Sequence, residues 1–257
     1  MTTRLTSVVI DAAQPGVLAQ WWSEAIGWPV TFIAPDEVVV EPAGNGQSYE
    51  VPALDFGPVD DPKSTKNRVH LDLASDSMDH QAELVERLIG IGAAHVDIGQ
   101  SDVPWIVLAD PEGNEFCVLE PRERYAGRGP LASIVVDAAN PATIARFWAA
   151  ASGWPIAVEH DGAVSLHNPR GLLPDLDFVP VDDAKSVKNR VHLDVAPYEG
   201  EDQGLEVARL VALGARRIDV GQGPDVSWVV LADPEGNELC VLRPQGIPPA
   251  APGDTVG

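Results

Sequence analysis

Leu108-Ala-Asp-Pro-Glu-Gly-Asn-Glu115 recurs letter for letter at Leu231-Ala-Asp-Pro-Glu-Gly-Asn-Glu238. Two further pairs keep step with it: Lys66-Asn-Arg-Val-His-Leu-Asp72 with Lys188–Asp194, and Gly27-Trp-Pro29 with Gly153–Pro155. The offsets are 123, 122 and 126 residues, so insertions and deletions between the copies fall in the intervening loops. A period this long marks a duplicated domain rather than a solenoid, whose repeats run about 20–50 residues. The duplication also allows an internal comparison, because the two copies report which positions have resisted divergence from each other.

The 257 residues therefore divide into a first copy at 1–124, a linker at 125–130, a second copy at 131–246 and a Pro/Ala/Gly-rich tail at 247–257. Each copy, roughly 120 residues, is long enough to bury its own core. In the first, Leu5–Asp11 is β-branched and strand-like, and a helix follows. Pro15 suits its first turn, Leu18, Trp21, Trp22 and Ala25 form a stripe at helical spacing, and Gly27 ends it. Strands are expected at Val30–Ala34, Val38–Glu41 and Tyr49–Phe56, with Gly44-Asn-Gly46 as a turn. The pattern then restarts: a strand at Arg68–Ala74, a helix at Met78–Ile89, and strands at His95–Ile98, Pro104–Ala109 and Phe116–Glu120. Each copy reads as βαβββ twice. In the second copy Asn140, ahead of Pro141, is the expected N-cap.

A formal charge of −22 argues against nucleic acid, which needs a basic face. No stretch has the apolar length of a membrane span, and residues 1–7 lack a secretory signal's apolar run. A cytoplasmic protein without membrane partners is expected. Cys117 and Cys240 hold equivalent places in the two copies and read as buried free thiols, not a disulfide. Of 17 basic residues only Lys63, Lys66, Lys185 and Lys188 are lysine, all in one duplicated loop. Beside Asp60/Asp61 and Asp182/Asp183, they are expected to pin the connection between units rather than bind a ligand.

Four βαβββ units with these three signatures resemble the vicinal oxygen chelate (VOC) superfamily, in its glyoxalase-like/bleomycin-resistance branch. The resemblance covers nearly the whole chain, twice. It implies an α+β fold of two tandem domains, each a cupped, open eight-stranded barrel with helices outside and a ligand cleft inside. In some members the first unit of one domain pairs with the second unit of the other, so pairing within or between copies is left open.

The resemblance further implies that metal-using members bind a divalent ion through His, Gln or Glu on the first strand of each unit and Glu on a last strand. Carried over, these slots fall on Ser7, His70 and Glu120 in copy one, and on Ser133, His192 and Arg243 in copy two. Exchange between copies would group them as Ser133/His70/Glu120 and Ser7/His192/Arg243. Strand alternation supports the middle slot. Val69 and Leu71 share one face while His70 and Asp72 share the other, as do His192 and Asp194, which sends the histidines into the cup.

Serine is a poor ligand for a transition metal, and arginine is a permanent cation. With only His70 and Glu120 as a metal pair, where functional sites normally fix three protein ligands, no cofactor is expected. Trp105 and Trp228, flanking strands, are candidates to stack a flat ligand, beside Asp72 and Asp194. Trp21, Trp22 and Trp148 are assigned to the core, and Trp28 and Trp154 are weighed between core and cleft. The expected function is metal-independent small-molecule binding, in drug sequestration (resistance) or metabolite handling. The alternative is a metal-dependent lyase, isomerase or dioxygenase using His70 and Glu120. An intrachain pseudo-dimer is expected, with homo-oligomerisation and ligand identity left open.

Overall fold

The alternation in Val69-His-Leu-Asp-Leu73 holds in three dimensions: Val69, Leu71 and Leu73 are buried under the helices, and His70 and Asp72 face the other way. The computed structural model describes residues 3–43, 51–223 and 225–246. The expected turn at Gly44-Asn-Gly46, the first residues of the strand expected from Tyr49, and the tail at 247–257 lie outside them.

The first unit comprises β1 (Thr3–Ala12), α1 (Pro15–Ile26), β2 (Val30–Ile33), β3 (Val38–Val40) and β4 (Ala53–Pro58). The second comprises β5 (Val69–Leu73), α2 (Met78–Gly90), β6 (Ala94–His95), β7 (Ile106–Ala109) and β8 (Glu115–Val118). The third runs through β9 (Leu131–Ala138), α3 (Pro141–Ser152), β10 (Ile156–His160), β11 (Ala163–Leu166) and β12 (Asp175–Pro180). The fourth is β13 (Val191–Pro197), α4 (Gln203–Ala212), β14 (Arg216–Arg217), β15 (Val229–Ala232) and β16 (Glu238–Val241). All four are βαβββ. Gly27 and Gly153 end α1 and α3 in the left-handed conformation (φ 73° and 75°), and the Asn140 side chain caps α3 by accepting from Thr143 N.

The sheets settle which units pair. One eight-stranded sheet has the order β14-β15-β16-β13-β1-β4-β3-β2, and the other β10-β11-β12-β9-β5-β8-β7-β6. Each therefore joins the first unit of one sequence copy to the second unit of the other. The seam is β1 against β13 in the first sheet and β9 against β5 in the second, both antiparallel. Among the described residues the chain crosses between sheets twice, through the lysine-bearing loops 59–68 and 181–190, while the linker joins two strands of the second sheet.

The invariant Asp-Pro-Glu-Gly-Asn-Glu turn is a fastener. Asp110 Oδ1 accepts from the Glu112 and Asn114 amides at 2.9 Å each, and its Oδ2 accepts from Trp22 Nε1 on α1 at 3.1 Å. Glu112 accepts from the Ala13 and Gln14 amides at 2.7 and 2.9 Å, just ahead of α1, where a carboxylate also suits the helix dipole. Glu115 accepts from Lys63 at 2.7 Å and from the Asn67 amide at 3.1 Å. Asp233, Glu235 and Glu238 repeat these bonds in the second copy, with Trp148, Ala139, Asn140, Lys185 and Asn189.

Trp21, Trp22 and Phe116 interlock edge to face at centroid distances of 5.2–5.8 Å. Fully burying such side chains contributes roughly 1.5–3 kcal/mol each. Trp28 and Trp154 are also buried in the core.

Candidate functional site

The strand faces turned away from the helices form two cups, one per sheet, and each collects the same five side chains. In the first sheet these are Ser7 on β1, Asp55 on β4, His192 and Asp194 on β13, and Cys240 on β16. In the second they are Ser133 on β9, Asp177 on β12, His70 and Asp72 on β5, and Cys117 on β8. Register brings them together: Ser7 lies opposite Asp194, Ser133 opposite Asp72, and Cys117 and Cys240 beside Asp72 and Asp194.

The ring and carboxyl of each cup are near neighbours. His70 Nε2 is 3.6 Å from Asp72 Oδ1, and His192 Nε2 is 3.5 Å from Asp194 Oδ1. Cys240 Sγ lies 3.7 Å from His192 Nε2, and the Cys240 amide donates to Asp194 Oδ1 at 3.1 Å. Ser133 Oγ is 3.4 Å from Asp72 Oδ2. Among the described residues of the cups, four polar atoms remain buried without a hydrogen-bond partner: Ser7 Oγ, Asp72 Oδ1, Asp177 Oδ1 and His192 Nδ1.

Burial governs the charge state. It pushes His70 down to about 3 and His192 to about 4, with Lys66 and Lys188 adding to the effect. Both imidazoles are neutral, so their contacts with Asp72 and Asp194 are not ion pairs. Burial, then the facing Asp177, raises Asp72 to about 7; burial, then Asp55, raises Asp194 to about 8. Asp55 is raised to about 7 by burial and by Glu37 and Glu41. The two thiols are pushed up by burial and by the neighbouring aspartates.

The expected residues divide. His70, Asp72 and Ser133 come together in one cup, and His192, Asp194 and Ser7 in the other, which is the exchanged grouping. Glu120 lies beyond β8 with its Oε1 bonded to Arg122 Nε at 2.7 Å, and it belongs to neither three-donor group among the described residues. Arg243 lies beyond β16 and is exposed.

The last-strand residues facing the cups are Cys117 and Cys240, read from the sequence only as buried thiols. Their parity identifies them, since Phe116 and Val118, like Leu239 and Val241, point into the core. Asp55 and Asp177 are further cup residues, and the sequence signal for them is the repeated Leu-Asp-Phe in which both sit. Trp105 and Val107 pack against the cluster that holds Cys117, and Trp228, 39% exposed, immediately precedes β15, two residues before Val230, which is paired with Cys240.

Superfamily resemblance raises a divalent ion as the group such a cup holds. In each cup one nitrogen, one carboxylate oxygen and one sulfur lie within 4.8 Å of one another, as His70/Asp72/Cys117 and His192/Asp194/Cys240. Ligand atoms around tetrahedral zinc stand roughly 3.3–3.8 Å apart at bond lengths of about 2.0–2.3 Å. The donor set therefore fits a thiophilic divalent ion, and the partnerless Asp72 Oδ1 has the chemistry of a ligand atom.

The lysines converge elsewhere, around an open cavity of about 680 Å³ between the two crossover loops. Lys63 and Lys185 pair with Glu115 and Glu238 at 2.7 Å, Lys66 with Asp137 at 2.5 Å, and Lys188 with Asp11. Their partners are carboxylates of other elements, not the flanking Asp60/Asp61 and Asp182/Asp183 that the sequence suggested. With each ammonium already matched, the cavity is a pinned crossover.

A sequence model of the glyoxalase-like domain matches residues 7–119 and again 133–242. No curated protein matches the sequence. Among solved structures, glyoxalase I from Zea mays superposes with a TM-score of 0.67 at 12% identity, over 94% of this chain and 92% of that one. A putative dioxygenase from Bacillus subtilis superposes with a TM-score of 0.62 at 12% identity, over 97% of this chain and 86% of that one. At such identities the likeness is one of fold alone. No helix among the described residues is long and apolar enough to cross a membrane.

Proposed function

The chain belongs to the glyoxalase-like domain family, and on that premise we propose that it binds a small molecule in its cups without a resident metal, serving drug sequestration or metabolite handling. The observation that carries this reading is the duplicated floor of serine, neutral histidine, two aspartates and a thiol, each cup having a tryptophan at its edge. A neutral imidazole offers one donor and one acceptor, and an aspartic acid raised to about 7 can hold a proton at neutral pH. Ligand hydroxyl, carbonyl or amine groups would be oriented on this floor, and the aromatic edge would exclude water from them.

A second reading, a metal-dependent enzyme, is favoured by one observation: the three-donor groups with a partnerless Asp72 Oδ1. His70, Asp72 and Cys117, or His192, Asp194 and Cys240, would hold the ion in place of the His70/Glu120 pair. A bound divalent ion would polarise a ligand oxygen as a Lewis acid.

Elemental analysis of the purified chain and a thermal-shift screen of small molecules separate the two. The first reading expects no stoichiometric transition metal, and ligands that raise the melting temperature of the wild type but not of a His70→Ala/His192→Ala variant. About one metal per cup, lost in Cys117→Ser/Cys240→Ser, would replace it with the second. A screen without any ligand, on metal-free protein, would sink both.

A further inference from the structure

Away from the cups, α1 ends against α2 and α3 ends against α4, and the two junctions differ. Arg209 of α4 donates from Nη1 to Ala150 O in the last turn of α3 at 3.1 Å. Its Nε donates to Glu206 Oε2 at 2.7 Å and its Nη2 to Thr3 Oγ1 at 2.8 Å. Thr3 in turn donates to Ala151 O at 2.7 Å. At this junction the chain supplies the arginine with its own carboxylate and hydroxyl.

The counterpart of Arg209 is Arg87 of α2, which donates from Nη1 and Nη2 to Glu24 O and Ala25 O of α1 at 3.1 and 2.8 Å. The positions of Glu206 and Thr3, however, are taken by Leu84 and Gly129. Among the described residues no carboxylate pairs with Arg87, and a cavity of about 440 Å³ opens beside it, between the two helices and the linker. A Cβ added at Gly127 or Gly129 would meet nothing within 4 Å. The cavity floor is apolar, built from the buried Ile26, Leu73, Ala74 and Leu84. Its rim carries both signs. Beside Arg87 stand Glu24, exposed and without a carboxylate partner bond among the described residues, and Asp76. Asp76 Oδ1 accepts from the Gly127 amide at 2.8 Å, and its Oδ2 is 3.8 Å from His80 Nδ1. No floor residue of either cup lines this cavity.

We propose that this cavity is a second binding site, independent of the cups, for a free α-amino acid with an apolar side chain. The α4 junction shows what its arginine takes at this place, a carboxylate, and at Arg87 the ligand supplies it. The ligand's ammonium meets Glu24 and Asp76, and its side chain covers the apolar floor left by Leu84. A plain anion would face two rim carboxylates, and a plain cation would face the guanidinium. A zwitterion matches both. The volume lies within the range of about 300–1,000 Å³ usual for small-molecule sites.

Calorimetric titration of the full chain with L-leucine tests this, beside 4-methylpentanoate, which lacks the ammonium, and isopentylamine, which lacks the carboxylate. One leucine per chain is expected, with each of the other two at least about tenfold weaker. Leu84→Glu, which brings the carboxylate of the α4 junction to Arg87, should abolish binding. Should that variant fail to fold, the exposed Arg87→Gln and Glu24→Gln decide: both should weaken leucine, while Glu24→Gln should tighten 4-methylpentanoate. No leucine binding at millimolar concentration, or equal binding of either truncated compound, would overturn the proposal. So would leucine binding that survives Arg87→Gln, or that is lost in His70→Ala/His192→Ala and kept in Leu84→Glu. Compounds that bind the cups should bind the Leu84→Glu variant as they bind the wild type, so failure here leaves the reading of the cups standing.

Discussion

Arg190 Nη2, at the start of β13 in the first sheet, donates to Glu112 Oε2, in the β7–β8 turn of the second, at 2.9 Å. The same carboxylate accepts two amides ahead of α1, so one side chain ties both sheets and a helix entry together. Arg68 faces Glu235 in the twin arrangement, at 3.8 Å. The most strictly repeated motif in the chain is therefore mechanical, and the chemistry lies on neighbouring strands.

Removing that carboxylate should be costly. Glu112→Ala leaves two amides and a largely buried guanidinium without their acceptor, and should destabilise the fold by about 3 kcal/mol in denaturant unfolding. Glu112→Gln keeps one acceptor and should cost less. A loss under about 0.5 kcal/mol for the alanine variant would show that water replaces the carboxylate.

The crossover lysines should grade by exposure. Lys63 and Lys185 are 15% and 14% exposed, whereas Lys66 and Lys188 are 37% and 41% exposed. Lys66→Ala and Lys188→Ala should each cost less than about 1 kcal/mol. Lys63→Ala and Lys185→Ala should cost more, because each strands a buried glutamate. Ligand affinity should stay unchanged at every salt concentration. A salt-dependent affinity that disappears in the lysine variants would instead place the crossover in a binding site.

Stability should fall on the alkaline side of neutrality. Asp55 and Asp72 are raised to about 7 and Asp194 to about 8, so up to those values the folded chain keeps protons that the unfolded chain has released. Their contribution is therefore lost as pH rises through that window. His70 and His192, pushed down to about 3 and 4 from 6.5, work in the opposite sense and offset the acids below 6.5. Above it only the acids act. Urea unfolding should lose on the order of 1 kcal/mol between about pH 6.5 and 8.5, and Asp194→Asn should flatten the decline. A flat wild-type curve would mean that the acids are already ionised, as a bound divalent ion would make them.

Phe116 and Leu239 occupy equivalent core positions, and only Phe116 interlocks with two tryptophans. Phe116→Ala should cost about 3–5 kcal/mol, whereas Phe116→Leu, importing the other copy's residue, should cost distinctly less. Equal losses in thermal unfolding would show that ring packing adds nothing beyond volume.

Much of this molecule is written locally. The repeat, the four βαβββ units, the glycine helix ends and the inward histidines follow from short-range patterns, because strand alternation and helix capping are decided within a few residues. Which units share a sheet is different. β1 and β9 present nearly the same apolar face, as do β5 and β13, so strand pattern alone pairs either with either. The crossover loops and their Glu112 and Glu235 fasteners select the exchanged arrangement through contacts about 80 to 100 residues apart in sequence. The site slots divide for the same reason. Alternation carries inference along β8 only as far as Val118, where the strand ends, so Glu120 could not be placed by parity. Only the assembled sheet shows that Cys117 takes the inward position beside Asp72, that Asp177 arrives from the other copy, and that the linker lies across one cup of the two.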